Sequence, residues 1–166
     1  MFNQLIRKAK RLLFARRYSA HYQDYFLHVL GHPTVYYDAK NRLHLGKNVV
    51  LNNAFLDLHD DIWIGDFTFF GHGVSVLTGS HDVSRYGLER QRAIQSAPVR
   101  IDVGVWIASL SIILPGAEIG AHSVISAGSV VRGRVPPCVI VAGNPAQVVK
   151  RLEGPKEFAT SASGKT

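Results

Sequence analysis

The sequence predicts a β-solenoid, in which short strands coil around a long apolar core, and three observations support that prediction. Aliphatic residues recur every six positions from Ile101 to Val131, at residues 101, 107, 113, 119, 125 and 131. Four residues after each of the first five stands a small or β-branched residue, so a second column accompanies the first. Six is a poor period for an α-helix, but it suits extended segments separated by turns. Stacked coils turn each column into a continuous ladder.

The same register begins earlier in the chain and slips once. Leu45 and Leu51 share one phase, whereas a second phase, displaced by one residue, contains Leu58, Ile64, Phe70 and Val76. One extra residue therefore lies between Leu51 and Leu58. We expect it to bulge from a corner of the solenoid without breaking the ladder.

A charged segment interrupts the register between Val76 and Ile101. An excursion of this length from a compact repeat is uncommon and is usually functional. We place the excursion loop at residues 82–97, with His81 where the chain leaves the coil. Imidazole can accept a proton at neutral pH, and either Asp82 or a backbone carbonyl can fix its tautomer. A lone loop histidine is more often a solvated bystander, so residue type alone does not make His81 catalytic.

The first 17 residues carry six Lys and Arg and no acid, although the net charge of the whole chain is only +7. Their apolar residues have the spacing of one helical face, at positions 2, 5, 6, 9, 12 and 13. A basic amphipathic helix can lie peripherally on an anionic membrane surface, or it can dock on the solenoid or on a neighbouring subunit. Beyond this helix no basic stripe is interleaved with aromatic residues, so we do not expect a nucleic-acid partner.

The sequence predicts a cytoplasmic protein, at most peripheral at the inner face of the membrane. It has neither the apolar core of a secretory signal nor a run of about 18 apolar residues that could span a bilayer. The single cysteine, Cys138, has no intrachain partner for a disulfide, which fits a reducing compartment. A mitochondrial presequence would also be basic and amphipathic, and that alternative stays open.

We divide the chain into three parts. Residues 1–33 are expected to be helical, because Ser19 can cap a second helix that Gly31 and Pro33 close. Residues 34–146 form the solenoid with its excursion loop. Residues 147–166 are expected to form a short C-terminal helix followed by a tail.

Three motifs downstream of the excursion resemble one family. They are the pair Trp106 and Ile107, the Leu-Pro-Gly block at residues 114–116 and the Ala-Gly-Asn-Pro-Ala block at residues 142–146. In this order they make the segment from residue 43 to residue 152 resemble hexapeptide-repeat O-acetyltransferases of the maltose, galactoside, nodulation-factor and polysaccharide type. The resemblance implies an all-β fold, a left-handed parallel β-helix with hexapeptide repeats.

The resemblance also implies an activity. It is acetyl-CoA-dependent transfer to a hydroxyl of a sugar or of a surface-polysaccharide precursor, in a homotrimer with its active sites between subunits. His81 stands where the family has its catalytic general base, with Asp82 beside it. Trp106 matches the family tryptophan that packs on the acceptor, although packing at a subunit contact is an alternative. A backbone N–H near Ser109 is the expected oxyanion donor.

Binding residues follow from the same resemblance. Acetyl-CoA is expected along the last coils, against small residues and then basic ones: Ser109, Ala127, Arg132, Gly133, Lys150 and Arg151. The basic residues would meet phosphates, with Lys150 and Arg151 on the C-terminal helix. The saccharide acceptor is assigned to Asn53 and Asp57, although this stretch contains the slip in register. No metal is expected.

Other functions remain as alternatives. The same scaffold and base could acetylate the amine of an amino sugar or a xenobiotic. A zinc hydratase would need three imidazoles, two of them closely spaced, and His72, His81 and His122 lack that spacing. A non-catalytic, membrane-associated scaffold would need neither His81 nor acetyl-CoA.

Overall fold

The computed structural model describes residues 34–36 and 41–155. The helices predicted within residues 1–33, including the basic amphipathic one, therefore lie outside the described residues. So do residues 156–166, which include the predicted C-terminal tail.

The strands form three stacked sheets. Sheet A contains β1 (Thr34–Tyr36), β3 (Phe55–Asp57), β6 (Ser75–Val76), β11 (Ile112–Ile113) and β14 (Val130–Val131). Sheet B contains β2 (Leu43–Leu45), β4 (Ile62–Ile64), β9 (Val99–Ile101), β12 (Glu118–Ile119) and β15 (Arg134–Val135). Sheet C contains β5 (Phe69–Phe70), β10 (Trp106–Ile107), β13 (Val124–Ile125), β16 (Val139–Gly143) and β17 (Ala146–Arg151).

The chain visits the three sheets in turn, so each coil is a triangle with one side in each sheet. Strands of successive coils pair in parallel, except for the antiparallel pair of β16 and β17. We call the turns between the sides the A–B, B–C and C–A corners. The A–B corner is formed, for example, by residues 58–61 in one coil and 132–133 in another.

The predicted ladders are confirmed, and the structure assigns each one to a sheet. Ile101 pairs with Ile119 in sheet B, Ile107 with Ile125 in sheet C, and Ile113 with Val131 in sheet A. All six side chains are buried. The second column is also buried, at residues 105, 111, 117, 123 and 129. A six-residue period therefore equals one side of the triangle.

The slip in register was predicted between Leu51 and Leu58, but the structure places the extra length after β3. Leu56, not Leu58, is in register with Val76 in sheet A. The extra length therefore follows β3, where residues 58–61 form a widened A–B corner. Leu56 and Leu58 are both fully buried aliphatics, so only strand pairing distinguishes them.

The excursion leaves the solenoid at the A–B corner of the next coil. It is an antiparallel hairpin of β7 (Gly79–His81) and β8 (Ile94–Ser96), with a short helix, α1 (Gly87–Arg92), between the two strands. The Ala97 N–H donates to the Thr78 carbonyl at 2.9 Å and closes the neck. The excursion therefore spans residues 79–96 rather than 82–97, and His81 lies within its first strand.

The prediction of a C-terminal helix is wrong for residues 147–151. The chain reverses after β16 and returns as β17, which pairs antiparallel with β16. Val148 and Val149 favour extended backbone, and the exposed edge of β16 supplies hydrogen-bond partners that a helix could not use. Lys150 and Arg151 accordingly lie on a strand.

Candidate functional site

His81 is held at one ring nitrogen by the backbone of its own hairpin. Its side chain is exposed, and Nδ1 lies 2.9 Å from the carbonyl oxygen of Arg90 in α1. A carbonyl oxygen only accepts hydrogen bonds, so Nδ1 must carry the proton and donate. In the neutral ring, Nε2 then holds the lone pair, which is the arrangement that a general base needs.

Asp82 makes its contacts within the turn that follows β7. Its carboxylate accepts hydrogen bonds from the Ser84 hydroxyl at 2.6 Å and the Ser84 N–H at 2.9 Å, and pairs with Arg85 at 3.4 Å. The Ser84 hydroxyl, followed by the Ser84 N–H, holds the pKa of Asp82 below its ordinary value. Of the two groups that could fix the His81 tautomer, the Arg90 carbonyl does so.

Asp57 is the last residue of β3, next to the widened A–B corner and under the start of the hairpin, and it is 6% exposed. Its Oδ1 accepts a hydrogen bond from His59 Nδ1 at 2.5 Å, and its Oδ2 accepts one from the Gly79 N–H at 3.0 Å. The sequence analysis did not single out His59. The signal that could have singled it out is its place in the stretch that carries the slip, two residues after an acid.

Trp106 projects from the outer face of sheet C and is 44% exposed. Its ring stacks on Phe69 of the preceding coil, with the centroids 5.7 Å apart and the planes 15° apart. Ile112, on the outer face of sheet A, is also exposed. These side chains give the two sheets an apolar outer surface around the C–A corner.

Small residues occupy several positions of the C–A corner. Ser109 and Ala127 stand there in successive coils, and the Gly128 N–H donates to the Ser109 carbonyl at 2.9 Å. A Cβ on Gly71 would lie 2.5 Å from the Ser109 nitrogen, so the coils touch backbone to backbone. Asn53 belongs to the same corner, where its side-chain oxygen accepts from the Gly73 N–H at 2.8 Å.

The remaining predicted residues lie at the A–B corner and on β17. Arg132 and Gly133 are exposed at the A–B corner of the last coil, on the same corner as the hairpin. Lys150 and Arg151 are exposed on β17 in sheet C.

Most of the predicted site residues thus form two groups on opposite sides of sheet A, while Lys150 and Arg151 lie apart on β17. His81 and Arg132 lie at the A–B corner, with Asp57 next to it at the end of β3, whereas Ser109 and Ala127 lie at the C–A corner. One chain does not bring the two groups together.

A groove of about 700 Å³ follows the outer face of sheet B and the B–C corner. In it the Trp63 ring is covered by the Arg100 guanidinium at 3.8 Å and stacks with His44 at 4.9 Å. None of the predicted site residues lines this groove.

Residues 34–36 and 41–155 contain neither a cluster of metal-ligating side chains nor a membrane-spanning helix. In that part of the chain no three His, Cys, Asp or Glu side chains cluster as metal ligands would. Within the same residues, no helix has both the length and the apolar character required to cross a bilayer.

Comparison with known proteins identifies relatives of the chain. No family model matches it. The chain is 35% identical over 122 residues to the galactoside O-acetyltransferase of Escherichia coli K12, a match that covers 72% of this chain and 59% of that protein. The chain therefore spans less than two thirds of the length of this curated relative.

Solved structures match the same fold. A galactoside acetyltransferase in complex with coenzyme A has a TM-score of 0.65 and 31% identity, covering 75% of this chain and 62% of that one. A hexapeptide-repeat acetyltransferase from Vibrio cholerae, complexed with acetyl coenzyme A, has a TM-score of 0.64 at 31% identity, covering 69% and 62%. A maltose O-acetyltransferase from Clostridium difficile has a TM-score of 0.65 at 28% identity, covering 89% and 87%. These matches confirm the predicted left-handed parallel β-helix.

Proposed function

We propose that this chain, which belongs to the hexapeptide-repeat acetyltransferases, transfers an acetyl group from acetyl-CoA to a hydroxyl of a sugar or of a surface-polysaccharide precursor. The observation that carries the proposal is the hydrogen bond from His81 Nδ1 to the Arg90 carbonyl. It leaves Nε2 of the exposed neutral imidazole as a base. The named substrates of the relatives, galactosides and maltose, support a saccharide as the acceptor.

His81 acts as the general base. Its Nε2 removes the proton from the acceptor hydroxyl while the hydroxyl oxygen attacks the thioester carbonyl carbon. The new C–O bond gives a tetrahedral oxyanion, and the C–S bond then breaks as the proton passes from Nε2 to the departing thiolate. The other proton stays on Nδ1, hydrogen-bonded to the Arg90 carbonyl throughout, so the ring keeps its orientation. No covalent enzyme intermediate is needed.

The site is completed by a second copy of the chain in a homotrimer. His81 lies at the A–B corner and Ser109 at the C–A corner, so the base and the predicted oxyanion donor meet only if neighbouring subunits juxtapose these corners. The apolar side chains of Trp106 and Ile112 next to the C–A corner suit such a contact. In that arrangement the Ser109 N–H stabilises the oxyanion, and Trp106 packs against the acceptor.

Acetyl-CoA lies along the C–A corner, where Ser109 and Ala127 leave room for an extended pantetheine chain. Gly133 at the facing A–B corner also keeps the groove open. The exposed cations of Arg132, Lys150 and Arg151 are available for the phosphates of the nucleotide. Asn53, at the C–A corner, is an acceptor-binding candidate, whereas the buried Asp57 has both carboxylate oxygens engaged within the chain. Asp82 shapes the turn after His81.

We place the enzyme in the cytoplasm, at the inner face of the membrane. The six positive charges without an acid in residues 1–17 support contact with anionic lipid. Sedimentation with vesicles tests it: binding should require anionic lipid and disappear when residues 1–17 are deleted. Equal binding to neutral vesicles, or none to anionic ones, would contradict the contact.

The catalytic proposal is tested by release of the CoA thiol from acetyl-CoA in the presence of galactosides, maltose and a panel of glycans. The wild-type protein should turn over with at least one saccharide. His81→Ala should lower kcat by about 10² to 10⁴-fold, the range typical of a general base. His44→Ala, in the groove on sheet B, is the matched control and should retain activity. Absence of turnover with every hydroxylated acceptor, or full activity of His81→Ala, would refute the proposal.

A further inference from the structure

The hairpin that carries His81 is fastened to the coil beneath it through Thr78. Thr78 is fully buried and is the last residue before the hairpin. Its hydroxyl donates to the Asp57 carbonyl at 2.5 Å and accepts from the Asp60 N–H at 2.9 Å. The Thr78 side chain thus binds the backbone on both sides of the widened turn, at Asp57 and at Asp60. Thr78 itself is the point where the chain leaves the solenoid.

Asp57 extends this fastening to the hairpin itself. Its Oδ2 accepts from the Gly79 N–H, and its Oδ1 is held by His59 Nδ1. Gly79 packs directly on this pair, because a Cβ there would lie 2.5 Å from His59 Nδ1 and 3.0 Å from Asp57 Oδ2. Both oxygens of the buried carboxylate therefore have partners, one in the corner and one in the hairpin.

The second strand of the hairpin returns to the same corner. The Ser96 hydroxyl donates to Asp60 Oδ2 at 3.1 Å, and the Ala97 N–H donates to the Thr78 carbonyl. Both ends of the excursion are thus tied to residues 57–60 of the preceding coil.

His81 is connected to this corner through β7. Gly79 and His81 lie two residues apart on β7, so they face the same side of the hairpin. His81 pairs with Ile94 of β8 and is otherwise held by the Arg90 carbonyl, which belongs to the hairpin too. The hairpin is therefore a unit that carries the base, and its anchor to the solenoid is the corner.

We propose that Thr78, Asp57 and His59 are positioning residues for the acetyl transfer, and that Asp57 acts through Gly79 rather than by contact with the acceptor. This inference rests on the proposed function and assigns residues that act on His81 at a distance. Displacement of a reacting group by about 1 Å can cost about 10²-fold in rate, so a loosened anchor should reduce kcat strongly.

A second threonine in the molecule provides a matched control. Thr68 is also fully buried, and its hydroxyl donates to the Asp102 carbonyl at 2.7 Å and accepts from the Val105 N–H at 3.2 Å. It makes the same two kinds of bond at the B–C corner, which carries no hairpin. Thr78→Val and Thr68→Val thus remove equivalent bonds with the same change of shape.

The experiment measures kcat, KM for both substrates, and thermal stability for Thr78→Val, Thr78→Ser and Thr68→Val. Thr78→Val should lower kcat by about 10²-fold with both KM values nearly unchanged. Thr78→Ser keeps the hydroxyl and should restore kcat to within about threefold of wild type. Thr68→Val should lose stability like Thr78→Val but keep its kcat. Equal kcat for the two valine variants would overturn the positioning role.

A second pair of variants tests the carboxylate. His59→Asn can still donate to Asp57 Oδ1 and should keep most of the activity, whereas His59→Leu cannot and should lower kcat. Asp57→Asn should lower kcat as well, without a change in the KM of the acceptor. A rise confined to the acceptor KM would show that Asp57 binds acceptor and would overturn the assignment.

Hydrogen exchange of the Gly79 and Ser80 amides provides a readout that needs no activity. In Thr78→Val these amides should exchange faster, whereas in Thr68→Val they should not. If the wild-type protein fails to transfer acetyl groups, the proposed function fails whatever the exchange data show. If it is active and exchange at Gly79 is the same in both valine variants, only the positioning inference fails.

Discussion

The A–B corner under the hairpin and the B–C corner on the far side of the solenoid use the same local device with different results. In each, a buried threonine bridges a carbonyl and an N–H of neighbouring turns, Thr78 in one and Thr68 in the other. The B–C corner repeats almost unchanged, with one residue of positive φ in each coil, at positions 48, 67, 104, 122 and 138. The A–B corner is widened in one coil, and in the next coil the hairpin leaves the solenoid at this corner. The regular corner only connects one strand to the next, whereas the irregular corner also supports the hairpin that carries His81.

The two corners also differ in what they bury. At the B–C corner Thr68 contributes a neutral hydroxyl, whereas at the A–B corner Asp57 contributes a carboxylate. A buried carboxylate is costly unless hydrogen bonds offset its desolvation, and Asp57 has partners at both oxygens. Such a group holds its donors in fixed directions, which suits a site that must orient a base.

The largest expected effect comes from adding a methyl group at the anchor. Gly79→Ala would place a Cβ 2.5 Å from His59 Nδ1, so β7 or His59 must move. We expect kcat for acetyl transfer to fall by about 10²-fold, measured by CoA release. Full activity of Gly79→Ala would mean that the hairpin tolerates displacement at its base. It would contradict the conclusion that the A–B corner positions His81.

Removal of the carboxylate should be the next largest effect. Asp57→Ala leaves the Gly79 N–H and His59 Nδ1 without their acceptor in a buried place, and an unsatisfied buried donor costs about 1 to 3 kcal/mol. We expect the free energy of unfolding in urea to fall by about 3 kcal/mol. Thr68→Val at the B–C corner should cost less, because it removes a neutral group. An equal or larger loss in Thr68→Val would contradict the special status of the A–B corner.

A smaller effect is expected at the far end of the hairpin. Gly87 has a φ of +53°, and a Cβ added there would have no other atom within 4 Å, so alanine at this position meets only backbone strain. The left-handed conformation costs a non-glycine residue about 1 to 2 kcal/mol. Gly87→Ala should therefore loosen the tip, seen as faster exchange of the α1 amides, while exchange of the Gly79 amide and kcat remain close to wild type. A collapse of kcat comparable to that of Gly79→Ala would show that the tip, not the base, positions His81.

The smallest effect concerns acid pH. The Ser84 hydroxyl and N–H lower the pKa of Asp82 in the folded chain, so this turn is stabilised above the ordinary aspartate value and loses that stabilisation as pH falls through the lowered value. The amide shift of Ser84 in NMR spectra should titrate with a midpoint below that of a free aspartate, and Asp82→Asn should abolish the titration. A midpoint above the free value would contradict the assignment. Since Asp82 does not contact the corner residues, the Gly79 amide should not follow this titration.

Much of the architecture could be read from local regularity. The spacing from Ile101 to Val131 predicted the ladders, because a side of the triangle is a fixed number of residues. The interruption after Val76 predicted an excursion, and His81 was singled out because it stands at its start. The two groups of site residues could not be recognised, because which corner a residue occupies depends on how many residues each preceding corner contains.

Two errors show where local regularity ends. Leu58 was given the ladder position that belongs to Leu56, since both are buried aliphatics and only pairing with Val76 separates them. Residues 147–151 were expected to be helical, yet β16 offers them an open edge, and pairing with that edge decided their conformation.

The sequence by itself determined the repeat, the apolar ladders, the family motifs around Trp106 and the histidine of the excursion, because each depends on spacing along the chain. Only the tertiary structure decided that Asp57 and His59 lie under Gly79, that the Arg90 carbonyl fixes the tautomer of His81, and that the site residues divide between two corners. The Gly79–Asp57 hydrogen bond joins successive coils across 22 residues, and the His81–Arg90 hydrogen bond closes the hairpin across nine. No local pattern in the sequence records which atoms such folding brings into contact.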